Sequence, residues 1–117
     1  MLGFNKKKND PPEISEKMQL EKKIINTLKE IFDPEIPVNV FDLGLIYEIN
    51  VQDDMKVHIV MTLTAPNCPV AEALPNEVKE KVAATKGVKE CEVEMTFEPT
   101  WTKEMMSEEA MLDLGFL

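Results

Sequence analysis

The sequence predicts an α+β fold, a two-layer α/β sandwich in the order helix, strand, strand, helix, strand, closed by a short C-terminal helix. Three observations predict it. Apolar residues recur at spacings of three and four from Met18 to Phe32 and every four from Val70 to Val82. Three other segments alternate apolar and polar residues with a period of two. A polar turn, Gln52-Asp53-Asp54-Met55, joins the first two of those segments as a hairpin. The 117 residues suit one domain, long enough to bury a sizeable core.

Residues 1–16 are polar, include Asn9-Asp10-Pro11-Pro12 and show no sustained period, so they read as a flexible arm ahead of a single domain at 17–117. In the first helix Leu20, Ile24, Ile25, Leu28, Ile31 and Phe32 form the apolar face, and Asp33-Pro34 ends it. The run Asp33-Pro34-Glu35-Ile36-Pro37-Val38-Asn39-Val40 is too broken for a regular element and reads as an ordered loop leading to Asp42-Leu43-Gly44. In the first strand Leu45, Tyr47, Ile49 and Val51 share a face, and in the second Val57, Ile59, Met61 and Leu63 do. The second helix follows Cys68-Pro69, carries Val70, Leu74, Val78 and Val82 on one face and stops near Gly87, with Pro75 as an irregularity if it lies beyond the first turn. In the third strand, 88–97, Cys91, Val93, Met95 and Phe97 alternate with Glu90, Glu92, Glu94 and Thr96, and the charged face should meet water. Glu98-Pro99-Thr100-Trp101 breaks that strand, and Ser107 before Glu108-Glu109 starts the closing helix through Leu112, Leu114 and Gly115.

Charge and composition narrow the function. With 22 acidic against 13 basic residues, the formal net charge is -9, which opposes a surface that tracks phosphates, so nucleic acid is a poor partner. No apolar run approaches the roughly 20 residues needed to cross a bilayer, and Met1-Leu2-Gly3-Phe4 with Lys6-Lys7-Lys8 lacks a signal-peptide core. The expectation is a soluble cytoplasmic protein, in which two cysteines are reduced thiols rather than a disulfide staple.

Cys68 is the residue most informative about chemistry. It stands in Thr62-Leu63-Thr64-Ala65-Pro66-Asn67-Cys68-Pro69, where a strand runs into a helical pattern. Pro69 reads as the first helical position and Cys68 as the cap before it. A sulfur there meets free backbone N–H groups and the positive end of the helix dipole, both of which favour the thiolate that attacks electrophiles or binds metal. The plainer reading is a small buried hydrophobe. Cys91 takes that plainer reading, since it shares the alternating face of the third strand. No Cys-x-x-Cys pair supports a zinc ribbon or a thioredoxin-like site.

Around Cys68, Asp33, Glu35 and Asp42 lie in or beside the irregular loop, as site carboxylates or as a helix stop, a solvated side chain and a turn ligand. Thr62 and Thr64 lead straight to Cys68, so their hydroxyls either line a pocket or simply suit a β-strand. His58, the single histidine, lies near the hairpin turn and reads as an exposed strand residue, and Trp101 as a cap on the core edge or a shield over a cleft. A cysteine hydrolase needs a base beside the thiolate, which this placement of His58 does not supply. One thiolate cannot hold an iron-sulfur cluster, which takes four ligands, so any metal would be shared with other side chains or a second chain.

Three stretches resemble a known family in the same order. These are Asp33-Pro34-Glu35-Ile36-Pro37-Val38-Asn39-Val40-Phe41-Asp42-Leu43-Gly44-Leu45-Ile46-Tyr47, then Met61 to Pro69, then Trp101-Thr102 through Met106-Ser107-Glu108-Glu109-Ala110 to Leu114-Gly115-Phe116. They resemble the metal-sulfur cluster biosynthesis family that includes SufT-like and PaaD-like iron-sulfur assembly proteins, over residues 20–117. The resemblance implies the fold above and a non-enzymatic accessory or carrier role in maturing iron-sulfur proteins. It implies that Cys68 is the reactive thiol and transient ligand of iron or an iron-sulfur cluster, with Asp33, Glu35, Asp42, Thr62 and Thr64 lining the site. It also implies the assembly machinery and client apo-proteins as partners. PaaD-like members with a cysteine-rich tail differ from this sequence, which ends at Leu117, so a SufT-like role is expected. A homodimer would bring two Cys68 thiolates together, though no residue requires one. A thiol-transfer enzyme or hydrolase, and an interaction module with a structural cysteine, are the alternatives.

Overall fold

A computed structural model of the chain describes residues 12–34, 36–64 and 73–116, with side chains from residue 16 onward. In order it contains α1 (Pro12–Leu28), β1 (Ile46–Val51), β2 (Lys56–Met61), α2 (Ala73–Ala83), β3 (Glu90–Met95), a short 3-10 turn (Lys103–Met105) and α3 (Glu108–Asp113). The sheet order is β1-β2-β3. β1 and β2 form the antiparallel hairpin, while β3 returns parallel to β2 after the α2 crossover. This is the expected α+β sandwich.

One core joins the layers. Leu20, Ile24 and Leu28 from α1 meet Leu74, Val78 and Val82 from α2 over Val57, Ile59 and Met61 of β2. Each such side chain, when fully buried, contributes about 1.5–3 kcal/mol of hydrophobic stabilisation. On the opposite face Glu90, Glu92 and Glu94 are exposed, as the alternation requires. The hairpin closes with the Met55 N–H donating to the Gln52 carbonyl at 2.9 Å.

Several boundaries differ from the sequence reading, each for a physical reason. α1 begins at Pro12, inside the stretch read as an arm, because a proline in the first turn forfeits no hydrogen bond there; residues 1–11 of that arm lie outside the described residues. α1 ends at Leu28 rather than at Asp33-Pro34, because the chain turns off to pair with itself. Phe32 and Asn39 form a bridge, and the Val40 N–H donates to the Ile31 carbonyl at 2.8 Å. Ile31 still reaches the core, whereas Phe32 is exposed. Pro75 falls in the first turn of the described α2, so it costs that helix no bond. Gly87 takes a φ of +100° just past α2, which marks the stop expected there. β3 ends at Met95, which leaves Phe97 exposed rather than on the core face. Ser107 caps α3 as expected, its hydroxyl oxygen accepting from the Ala110 N–H at 3.1 Å.

Candidate functional site

The sequence places its candidate residues on two pieces of backbone, the loop from Asp33 to Gly44 and the end of β2 that leads toward Cys68. Cys68 and Glu35 lie outside the described residues, and so does the cap position proposed for the thiol. Asp33, Asp42, Thr62 and Thr64 are described.

The described part of the acidic loop is held by its own side chains in place of a regular ladder. Asp33 is buried, with one carboxylate oxygen accepting from the Ile36 N–H at 2.9 Å, and its own N–H donates to the Val38 carbonyl at 3.2 Å. Asn39 then locks the next turn from both sides. Its amide nitrogen donates to the Asp42 carboxylate at 2.8 Å, while its side-chain oxygen accepts from the Asp42 N–H at 2.8 Å. Asp33 thus holds the loop backbone rather than stopping α1, which already ends at Leu28, and the Asp42 carboxylate bonds the Asn39 side chain rather than the turn backbone expected for it.

Thr62 does not share the solvated face of β2. It is fully buried, its N–H donates to the Leu45 carbonyl at 2.9 Å, and its hydroxyl has no hydrogen-bond partner. A buried hydroxyl in that state costs about 1–3 kcal/mol. Thr64, beyond it, is half-buried. The end of β2 is therefore attached to the loop through Leu45, two residues past the Asp42 turn, so Asp42 and Thr62 belong to one corner of the fold.

A third segment, of which the sequence offered only Trp101 as a shield over a cleft, covers that corner. A register shift between Ile46 and Glu48 takes Tyr47 out of the regular β1 ladder, where the sequence had aligned it with Ile49 and Val51. Its hydroxyl donates to the Pro99 carbonyl at 2.8 Å and lies 3.5 Å from the Met105 sulfur. Burial raises the Tyr47 phenol above its ordinary pKa of 10.0, and the neighbouring Thr62 hydroxyl works against that rise. The two hydroxyls are therefore neighbours, but the phenol proton is committed to Pro99 and the pair lacks the geometry of a hydrogen bond. Trp101 caps the core edge as expected, and its indole N–H donates to the Leu43 carbonyl at 2.7 Å. The Ser107 N–H donates to the Asp42 carbonyl at 2.8 Å. Gly44, at a φ of +88°, lets the Met105 backbone approach so closely that a Cβ would stand 2.4 Å from its carbonyl oxygen. The usable signal in the sequence was chemical: buried tyrosine and tryptophan each need a partner for a polar tip, and neither strand alternation nor helix period provides one.

The two other titratable candidates behave as structural residues. His58 stands 3.1 Å from Glu94 across the β2–β3 ladder, on the exposed sheet face. Cys91 is buried in the core, and burial chiefly, with Glu92 adding and nearby Lys79 subtracting, pushes its thiol up to about 11. Among the described residues, no group of three or more His, Cys, Asp or Glu side chains is arranged to hold a metal ion. No described helix is long and apolar enough to cross a membrane.

Comparison with known proteins gives a consistent picture. The family described as "Iron-sulfur cluster assembly protein" matches residues 21–95, which includes the acidic loop, β2 and the Cys68 segment. A Porphyromonas gingivalis protein described as "Fe-S protein maturation auxiliary factor" is 55% identical over 103 residues, covering 88% of this chain and 98% of that protein. The Bacillus subtilis "Fe-S protein maturation auxiliary factor YitW" is 38% identical, over 82% of this chain and 94% of the relative. The crystal structure of a domain of unknown function from Bacillus anthracis superposes with a TM-score of 0.81 at 31% identity, covering 89% of this chain and 99% of that one.

Proposed function

Because the chain belongs to the iron-sulfur cluster assembly protein family, we propose that it serves as an accessory factor in the maturation of iron-sulfur proteins, with Cys68 as the thiolate that transiently holds the iron or cluster in transit. The observation that carries this reading is the near full-length likeness to maturation auxiliary factors, together with a cysteine six residues after Thr62 in the sequence. The metal or cluster is cargo in this reading. The described side chains fit a passing role better than a resident one: the Asp33 carboxylate already accepts from backbone, the Asp42 carboxylate from the Asn39 amide, the Thr62 hydroxyl is buried, and a lone soft thiolate supplies one of the four ligands a cluster needs. The remaining ligands come from the donor or client protein, so hand-over is built into the coordination number.

This is a non-enzymatic reading. His58, the chain's single histidine, is engaged with Glu94 on the exposed sheet face, which removes the obvious general base for thiol hydrolysis. Partners are expected among the assembly machinery and client apo-proteins. The net charge of -9 suits association with more basic protein surfaces through steering rather than through any nucleic acid.

Anaerobic reconstitution with iron, sulfide and a small-molecule thiol that stands in for the partner's ligands tests the ligand assignment. The native protein and Cys91→Ala should both develop iron-sulfur charge-transfer absorption, and Cys68→Ala should lose it. Equal absorption in Cys68→Ala would remove Cys68 from the ligand set.

A further inference from the structure

The C-terminal segment between β3 and α3 is anchored at both ends, where the Thr96 N–H donates to the Met61 carbonyl at 2.9 Å and Met106 is buried in the core. Between those ends it meets the Asp42–Tyr47 turn at a few points and is largely in water. From Phe97 to Glu104 only Trp101 is not exposed. The attachments are the Trp101 indole to the Leu43 carbonyl at 2.7 Å, the Tyr47 hydroxyl to the Pro99 carbonyl at 2.8 Å and the Ser107 N–H to the Asp42 carbonyl at 2.8 Å. Gly44 adds a close backbone approach to Met105. The stretch between those two anchors, exposed at every position from Phe97 to Glu104 except Trp101, belongs to the part of a fold that opens at low cost. Beside these attachments sits the fully buried Thr62 hydroxyl, unpaired. Its desolvation penalty is recovered in any state in which it gains a partner, so the closed arrangement is strained toward opening at one identifiable atom.

We propose that residues 97–105 form a strap that opens as a unit over the β2 corner between anchors at Thr96 and Met106, with Trp101 and Tyr47 as positioning residues that hold it shut and Thr62 as the group that opening uncovers. The juxtaposition that carries the inference is a buried, partnerless hydroxyl next to a segment pinned by single hydrogen bonds from two aromatic side chains. Opening breaks the bonds made by Trp101 and Tyr47 and lets water or a partner's polar group reach the Thr62 oxygen. The bearing of the strap on cluster delivery rests on the function proposed above, because Thr62 leads into the Cys68 segment; the opening itself does not.

The test uses the full chain and neither iron nor sulfide, so its failure would leave the maturation role standing, and failure of that role would leave the strap untouched. A Thr62→Cys reporter is alkylated under native conditions and followed by peptide mass spectrometry, with Cys91 as the buried internal reference. Placing Trp101→Phe or Tyr47→Phe beside the reporter removes one hydrogen bond each, and should speed labelling at position 62 by about two- to tenfold. The Cys91 rate should not change. An unchanged rate at position 62, or a rise at Cys91 in the same proportion, overturns the strap, since the second result reports global unfolding. Should the reporter disturb folding, hydrogen exchange on the chain without it decides. Trp101→Phe should speed exchange of the Met105 amide, which bonds to the Thr102 carbonyl inside the strap, by the same factor while the Ile59 amide stays fixed. Equal change at both amides, or none at Met105, contradicts the proposal.

Discussion

The two ends of β2 are built by opposite means. At the hairpin end the turn itself is local: Gln52 to Lys56 closes on itself, the Gln52 N–H donating to the Lys56 carbonyl at 2.8 Å, and what reaches it from elsewhere is the Lys89 N–H on the Met55 carbonyl at 3.0 Å and Lys17 beside the exposed Asp53. At the far end the local Asn39–Asp42 turn is held in place by remote ties. Thr62 is buried beside Tyr47, which is held by Pro99 some 52 residues later, and the turn before β1 is held by Trp101 and Ser107. The hairpin end is specified by neighbours in sequence and tolerates change. The far end is assembled from three remote segments, which is where a fold can hold functional groups in a state their own strand would not choose.

The largest expected effect tests what the ends share. Ile59 lies midway between them, fully buried between the helices and the sheet. Ile59→Ala should cost about 2–5 kcal/mol by chemical denaturation. A loss below about 1 kcal/mol would mean that the two ends do not depend on a common core.

Gly44→Ala strikes the far end alone. A side chain at a φ of +88° costs about 1–3 kcal/mol before any contact is counted. The new Cβ would also stand 2.4 Å from the Met105 carbonyl oxygen, so the C-terminal segment must shift. Stability should fall by at least the backbone figure, and amide exchange at Met105 to Ser107 should rise more than in the hairpin. Uniform exchange changes would refute the separation of the two ends.

How much of this was legible follows the same division. The period-two runs and the turn at 52–55 placed the hairpin, and the four-residue spacing of Leu74, Val78 and Val82 placed α2, because each depends on residues adjacent in the chain. Cys91 was legible as core for the same reason. Ile31 and Phe32 were assigned to α1 because their spacing fits, yet the chain left the helix to pair with residues 38–40, a tertiary preference that no local pattern records. Tyr47 was aligned with Ile49 and Val51, and a register shift undid that. The burial of Thr62 likewise depends on partners far along the chain. The order of the elements could be read, but the cover over the corner could not.

A smaller effect comes from Cys91. Its thiol is raised from 9.0 to about 11 in the folded chain, so above 9.0 the unfolded chain loses this proton first. Stability should therefore fall as pH rises between those values, and fall less in Cys91→Val. Urea midpoints measured from about pH 8 to about 11 read the difference, and parallel curves for the two proteins would contradict the burial assigned to this thiol.

The smallest effect belongs to the hairpin-side face. His58 and Glu94 are 3.1 Å apart, but their side chains are 29% and 60% exposed. Glu94→Gln should change stability by about 0.2–1 kcal/mol at most, and by less as salt is added. A loss as large as that of Gly44→Ala would show that the exposed face carries energy this comparison denies it.

Maturation of an iron-sulfur client enzyme in cells lacking the native protein tests the central claim most directly. Cys91→Ser should restore client activity nearly as well as the native chain, and Cys68→Ser, produced to the same level, should leave the client largely without its cluster. Full client activity with Cys68→Ser would contradict the account, and the protein would then act in maturation without its thiolate.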